Sequence, residues 1–153
     1  MFVVKNNFIS VAKFILIIIW MGLIFFMSSQ GADASSGLSS VFTDQIMYYI
    51  PGFTEDTITF IVRKSAHIFM YVVLGIFLYG LINSSSMSQK RRILYSLSIA
   101  FGYAVFDEIH QTFVPGRSGE VRDILIDTIS ASLGILAITR ILKLYGAYRN
   151  KLQ

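Results

Sequence analysis

Histidine and aspartate side chains interrupt three of the four long apolar stretches of this sequence. His67 lies in the second stretch, Asp107 and His110 lie in the third, and Asp127 lies in the fourth. Histidine and aspartate act as general acids and bases and also ligate metal ions, so these four are the candidate catalytic residues. The spacing Asp107-x-x-His110 puts two potential ligands on one face of a helix. This is a weak metal signal, so we predict no specific cofactor and leave a divalent metal open.

Basic residues accompany these groups. Arg63 and Lys64 precede His67 by one helical turn, and Arg117 lies in the sequence Pro115-Gly116-Arg117-Ser118-Gly119, which predicts a tight turn. Arginine binds phosphate or carboxylate through a bidentate fork, and lysine binds them as a point charge. The pattern therefore predicts a site for an anionic amphiphile, whose tail Tyr71 and Tyr103 would help to accommodate.

The elements that must position these residues are four apolar segments. They run from about 8 to 27, 58 to 82, 93 to 110 and 121 to 142. Hydrophobic residues make up 54% of the 153 positions and charged residues 14%, which is far from the composition of a soluble domain. The sequence predicts an all-α membrane protein, with one domain over residues 1–153 and a bundle of four transmembrane helices. There is no cysteine, which excludes disulfides and thiolate chemistry.

The depth of the ionisable groups predicts that they meet. At the usual helical rise, His67 lies about 22 Å from Ile82, Asp107 about 21 Å from Ile93, and Asp127 about 24 Å from Lys143. The hydrocarbon core is about 30 Å thick, so all three groups fall at one level inside it.

Helical phase predicts that the same groups face one another. The shared faces are Arg63, Lys64, His67, Tyr71 and Gly75 on the second segment; Tyr103, Asp107, His110, Gln111 and Val114 on the third; and Asp123, Asp127, Ser130 and Gly134 on the fourth. Ser130 and Gly134 are small and allow close helix approach. Glu108 points about 100° away from Asp107 and is expected to have a different neighbour.

Basic residues predict the orientation. Placing both termini in the cytoplasm puts nine of the thirteen lysines and arginines inside, as the positive-inside rule requires, and places the polar level near the outer face. In the loop that follows the first segment, apolar residues at helical spacing predict a short amphipathic helix on the outer face; they are Leu38, Val41, Phe42, Ile46, Tyr49 and Ile50. A cleavable signal peptide is the less favoured alternative, because a polar stretch from Ser28 separates the apolar run from Ala32-Asp33-Ala34.

The sequence resembles the VanZ-like family. The resemblance rests on RKSAHIFMYVVLG at 63–75, DEIHQTFVPGRSGEVRD at 107–123 and SSQ at 28–30, and it covers nearly the whole chain. It implies a multi-pass protein of the bacterial cell membrane, in a family whose namesake is associated with low-level resistance to the glycopeptide teicoplanin. The chain departs from the family pattern at Asp127, where Asn is common, and at Ser130, where Gly is common.

The resemblance extends the candidate site. The family's signature residues carry over to Lys64, His67, Tyr71, Asp107, Glu108, Gln111, Pro115, Arg117, Asp123 and Gly134. The candidate substrate-binding residues are therefore Arg63, Lys64, His67, Tyr71, Asp107, Glu108, Gln111, Arg117 and Asp123, together with Ser28, Ser29 and Gln30.

Three functions remain open at this point. The first is binding or handling of an anionic amphiphile, such as a lipid head group, a cell-wall precursor or a glycopeptide-like molecule; its partners would be membrane lipids and not nucleic acid. The second is an intramembrane hydrolase or transferase acting on a lipid-linked substrate. The third is a structural charge network, in which Arg63, Lys64, Arg117 and Arg122 pair with Asp107, Glu108, Asp123 and Asp127.

Overall fold

Four long helices form the described part of the chain. The computed structural model describes residues 2–30, 45–49, 52–83 and 85–152, and these ranges contain no strand. The helices are α1 (Phe2–Ser28), α2 (Glu55–Ile82), α3 (Gln89–Gln111) and α4 (Val121–Lys151). Each predicted apolar segment is a helix, and each helix extends into the polar residues that flank its segment.

Three of these helices are long and apolar enough to cross a membrane. They are α1 from Ile9, α2 and α4. The helix α3 does not reach the same apolarity, because it begins with three basic residues, 90–92, and ends with Asp107, Glu108 and Gln111. The three ending residues are buried, so its polar groups turn into the bundle and do not face outward. Length and composition therefore support three of the four predicted spans.

The amphipathic helix predicted on the outer face falls largely outside the described residues. Residues 45–49 are helical, while Leu38, Val41, Phe42 and Ile50 are not described. Within this short helix Ile46 is half-buried and Tyr49 is exposed. Tyr49 therefore does not pack against the described helices, and the placement of the segment on the outer face stays a prediction.

The closest helix packing joins α2 to α4. A methyl group added at Gly75 would overlap the carbonyl oxygen of Ala131, and one added at Gly134 would overlap the carbonyl oxygen of Val72. Two backbones can approach this closely only where side chains are missing, which is how small residues drive helix association in membranes. The predicted close approach at Gly134 is confirmed.

The helix α1 is attached to the bundle by side-chain hydrogen bonds to backbone carbonyls. Trp20 Nε1 donates to the carbonyl of Met70 on α2 at 3.0 Å, and the Tyr103 hydroxyl of α3 donates to the carbonyl of Met21 at 2.5 Å. Apolar side chains, among them Ile24, Leu74 and Ala104, fill the space between these helices. This packing fixes the end of α1, at Ser28, beside the polar level of the other three helices.

Candidate functional site

His67, Asp107 and Asp127 meet at one end of the bundle. They come from α2, α3 and α4, and each offers a ligand-type atom that lies within 4.8 Å of the other two. Asp107 is fully buried and Asp127 is 2% exposed, whereas the His67 side chain is 22% exposed. The predicted convergence of these three residues is confirmed.

Asp107 is held by two side chains. Ser28 Oγ, at the end of α1, donates a hydrogen bond to Asp107 Oδ1 at 2.6 Å, and Gln111 Nε2 donates to Oδ2 at 3.3 Å. Gln111 follows Asp107 by one turn of α3, so a single helix supplies both the carboxylate and one of its donors. Through Ser28, α1 also contributes a side chain to the polar level, so all four helices contribute to it.

Asp127 has fewer hydrogen-bond partners than Asp107 among the described residues. The distance from His67 Nδ1 to Asp127 Oδ2 is 3.7 Å, within range of an ion pair if the imidazole is protonated but too long for a hydrogen bond. Among the described residues, Asp127 Oδ2 has no hydrogen-bond partner, and neither does the buried Tyr71 hydroxyl. Tyr71 lies one helical turn beyond His67 on α2 and is fully buried.

A polar cavity of about 180 Å³ opens beside this cluster. Its lining residues are Phe60, Arg63, Lys64, His67, Gln111, Gly116, Arg117, Ser118, Glu120 and Asp123. A smaller, mostly apolar recess of about 50 Å³ adjoins it, since Arg63, His67 and Arg117 border both; its other walls include Ile24, Met27 and Met70. The site therefore combines a cationic pocket with an apolar one.

The turn between α3 and α4 brings Arg117 into this cavity. The Arg117 N–H donates to the carbonyl of Val114 at 3.1 Å, and Gly116 between them has φ of 75°. Proline followed by a glycine of positive φ is the pattern of a type II turn. Arg117 Nη1 donates to Gln111 Oε1 at 3.3 Å. The predicted tight turn is confirmed, and Arg117 at its end lines the cavity.

Two of the cavity's cations lack a carboxylate partner. Among the described residues, neither Arg63 nor Arg117 forms an ion pair. Burial lowers the pKa of Arg117, and the nearby charge of Arg63 lowers it further. The ordinary pKa of arginine is so high that Arg117 still carries its charge near neutral pH. Two like charges beside one cavity therefore leave a site that an anion would stabilise.

The predicted web of ion pairs is present only in part. Lys64 Nζ pairs with Asp123 Oδ2 and joins α2 to α4. Glu108 instead accepts the backbone N–H of Glu120 at 2.7 Å, which ties the end of α3 to the start of α4. Arg122 pairs with Glu120 at the surface and reaches Asp123 only at 4.0 Å. Within the described residues, then, the carboxylates of Asp107 and Glu108 are held by other donors than the four predicted cations.

Several predicted site residues lie apart from the cavity and the cluster. His110 stacks on the ring of Phe25, with ring centroids 4.2 Å apart, and does not join the group of Asp107. Tyr71 and Tyr103 are buried inside the bundle and line neither pocket, and the expectation that they contact a bound tail stays a prediction. Ser29 bonds the carbonyl of Phe26 at the surface. Gln30 is half-buried and does not line either pocket.

Sequence reasoning missed residues that complete the cavity wall. Phe60 lies one turn before Lys64, whose ammonium is 5.6 Å from its ring centroid, and Ser118 and Glu120 follow Arg117 in the loop. The proximity of Phe60 could have been read from its phase on α2. The position of Glu120 could not be predicted in this way, because the Glu120 backbone N–H donates a hydrogen bond to the Glu108 carboxylate.

A family model described as VanZ/LLP1 matches residues 13–143. The chain belongs to the VanZ/LLP1 family. The matched range contains the polar cluster and the cavity of this VanZ/LLP1 protein, from Ser28 to Asp127, and it confirms the resemblance seen in the sequence. Three apolar helices and membership of the VanZ/LLP1 family together indicate a membrane protein. No curated protein and no solved structure matches the chain.

Proposed function

We propose that this protein is a single-domain, multi-pass protein of the bacterial plasma membrane with four spans and cytoplasmic termini. The exposed face of α3 supports the fourth span, because it carries large apolar side chains along its length; they are Leu94, Tyr95, Ile99, Phe101, Phe106 and Ile109. Such a face suits lipid contact, while the polar residues of the helix are sheltered in the bundle. With the termini inside, the polar cavity opens towards the outer leaflet.

The function that the site supports best is binding of an anionic amphiphile from the outer leaflet. The observation that carries the proposal is the pair Arg63 and Arg117, which border the cavity without a carboxylate partner among the described residues. A phosphate or carboxylate between them would satisfy both guanidinium groups through charge-assisted hydrogen bonds. The apolar recess beside Ile24 and Met70 would take part of a tail.

The ligand class follows from this pairing of charge and apolar surface. Lipid head groups, lipid-linked cell-wall precursors and acylated glycopeptides all join an anionic group to an apolar tail. Membership of the VanZ/LLP1 family fits a membrane protein related to teicoplanin resistance. In this proposal the protein contributes to that resistance by engaging the antibiotic or the amphiphile that the antibiotic meets at the outer face.

A binding measurement on purified protein tests the proposal. A short-chain phosphatidic acid and teicoplanin are titrated separately into the protein in a zwitterionic detergent, and binding is followed by microscale thermophoresis. Arg63→Gln and Arg117→Gln should each weaken binding about tenfold or more, since loss of a charge-assisted hydrogen bond removes about 1.5–3 kcal/mol.

Arg122→Gln is the matched control. Arg122 is 63% exposed, pairs with Glu120 and does not line the cavity, so its replacement should leave the affinity within about twofold. If Arg122→Gln weakens binding as much as the two cavity variants do, the attraction is general surface charge. If the wild-type protein binds neither ligand above the level of a short-chain phosphatidylcholine, the cavity is not an anion site.

A second candidate function is an intramembrane hydrolase or transferase acting on a lipid-linked substrate. The cluster of His67, Asp107 and Asp127 favours it, because His67 also borders the cavity and could exchange a proton with a ligand held there. Release of product from a lipid-linked phosphoester by the purified protein, lost in His67→Ala, would establish it. The remaining alternative is a structural charge network, and the Lys64–Asp123 pair is the contact that favours it.

A further inference from the structure

We propose that His67, Asp107 and Asp127 form a binding site for a divalent transition-metal ion, such as Zn²⁺ or Mn²⁺. The site goes beyond the binding of an anionic amphiphile and does not depend on it, since its ligands are a histidine and two carboxylates and not the arginines. Imidazole and carboxylate are ligands that these ions share.

The geometry suits a metal. Three helices each supply one ligand atom within 4.8 Å of the other two, and the His67 Nδ1 to Asp127 Oδ2 distance is 3.7 Å. Zinc ligands lie about 2.0–2.2 Å from the ion, so two of them are about 3.4 Å apart in a tetrahedral site. A small rotation of side chains would bring all three ligands to that spacing, without movement of the helices.

A buried polar atom of the cluster lacks a partner. Asp127 Oδ2 has no hydrogen-bond partner among the described residues, although Asp127 is 2% exposed. Buried polar atoms nearly always have a partner, so this unpartnered oxygen needs an explanation. A cation bound between the carboxylates would satisfy Asp127 directly.

The acidic groups of the cluster also favour a bound cation. Within the cluster two buried carboxyl groups, Asp107 and Asp127, lie beside a single histidine, and Lys64 of the adjoining cavity is already paired with Asp123. Buried charges are expected to be paired or to coordinate metals.

The site is accessible and has a supporting shell. The His67 side chain borders the 180 Å³ cavity, so an ion can arrive through it and keep a coordination position open towards Arg63 and Arg117. Ser28 and Gln111 donate to Asp107 and fix the orientation of that carboxylate. Donors that hydrogen-bond a ligating carboxylate in this way are a regular part of metal sites.

Metal titration of the whole purified chain tests the proposal. After any purification tag is removed and the protein is treated with chelator, Co²⁺ is added and followed by its visible absorption, and Zn²⁺ is then used to displace it. We expect one Co²⁺ per chain and complete displacement by Zn²⁺. His67→Ala and Asp127→Asn should each weaken Co²⁺ binding at least about tenfold. Mutation of a residue that only hydrogen-bonds a metal ligand already lowers metal affinity by that factor.

The matched control is His110→Ala. His110 is the other histidine of the chain, and its ring stacks on Phe25 outside the cluster, so its loss should leave Co²⁺ affinity unchanged. Asp127→Asn preserves side-chain size, and it carries the test if His67→Ala fails to elute as a folded protein in size-exclusion chromatography. Absence of stoichiometric Co²⁺ binding, or equal binding by the wild type and Asp127→Asn, would overturn the proposal. The amphiphile titration is run without metal, so the two proposals fail separately.

Discussion

The burial of Asp107 makes Ser28 a residue on which stability depends. Ser28 Oγ donates to Asp107 Oδ1 at 2.6 Å in a fully buried contact between α1 and α3. Ser28→Ala removes this donor and leaves the carboxylate with Gln111. A buried polar group that loses a partner costs about 1–3 kcal/mol, so we expect the free energy of unfolding to fall by that amount. Denaturant unfolding in detergent, followed by circular dichroism, measures it.

The neighbouring serine provides the control. Ser29 Oγ donates to the carbonyl of Phe26 in an exposed contact, so Ser29→Ala should change stability by less than about 0.5 kcal/mol. Equal losses in the two variants would mean that the Ser28–Asp107 hydrogen bond contributes nothing specific.

At the residue scale, the sequence predicted the cluster better than its surroundings. The rise and angle per residue of a helix are constants, so the level and facing of His67, Asp107 and Asp127 could be worked out from their positions. The same phase also put His110 on the face of Asp107. Its ring instead stacks on Phe25, because α1 lies on that side of α3, and helical phase does not say which neighbour occupies which side.

At the element scale, the contact of α2 with α4 depends on the absence of two side chains. Gly134→Ala places a methyl group against the carbonyl of Val72, and backbone cannot move aside as a flexible side chain can. We expect a loss of about 1–3 kcal/mol, the usual cost of overpacking, seen as a lower midpoint of thermal unfolding in detergent.

Gly102→Ala controls for the change in helix propensity. Gly102 lies on α3 with no atom near the position of an added methyl group. Alanine there should be neutral or stabilising by up to about 1 kcal/mol. A similar destabilisation at both positions would show that the close approach of α2 and α4 is not what Gly134 provides.

The elements themselves were predictable because apolar length determines a membrane helix. Ser130 and Gly134 also predicted a close helix contact. They could not identify the partner, since a small residue permits approach by any helix. The reciprocal position of Gly75 on α2 became evident only once the two backbones were seen together.

At the scale of the whole molecule, α3 depends on its neighbours. Its buried residues include Ser96, Asp107, Glu108 and Gln111, which an isolated helix would expose to lipid. Inside the bundle these groups bond one another, the backbone or other helices, and the outward surface is apolar. Composition alone therefore underestimates how well α3 suits a membrane, because composition counts polar residues that the fold conceals.

The position of α3 across the membrane can be tested with single cysteines, since the chain has none of its own. Ser86→Cys precedes α3 and Thr112→Cys follows it, and both positions are exposed. If α3 spans, a membrane-impermeant maleimide should label Thr112→Cys in intact cells and Ser86→Cys only after permeabilisation. Labelling of both from outside, or of neither, would place the two ends of α3 on one side. The polar cavity would then no longer be assigned to the outer leaflet by the positive-inside rule, because either α2 or α4 would cross the membrane in the opposite direction.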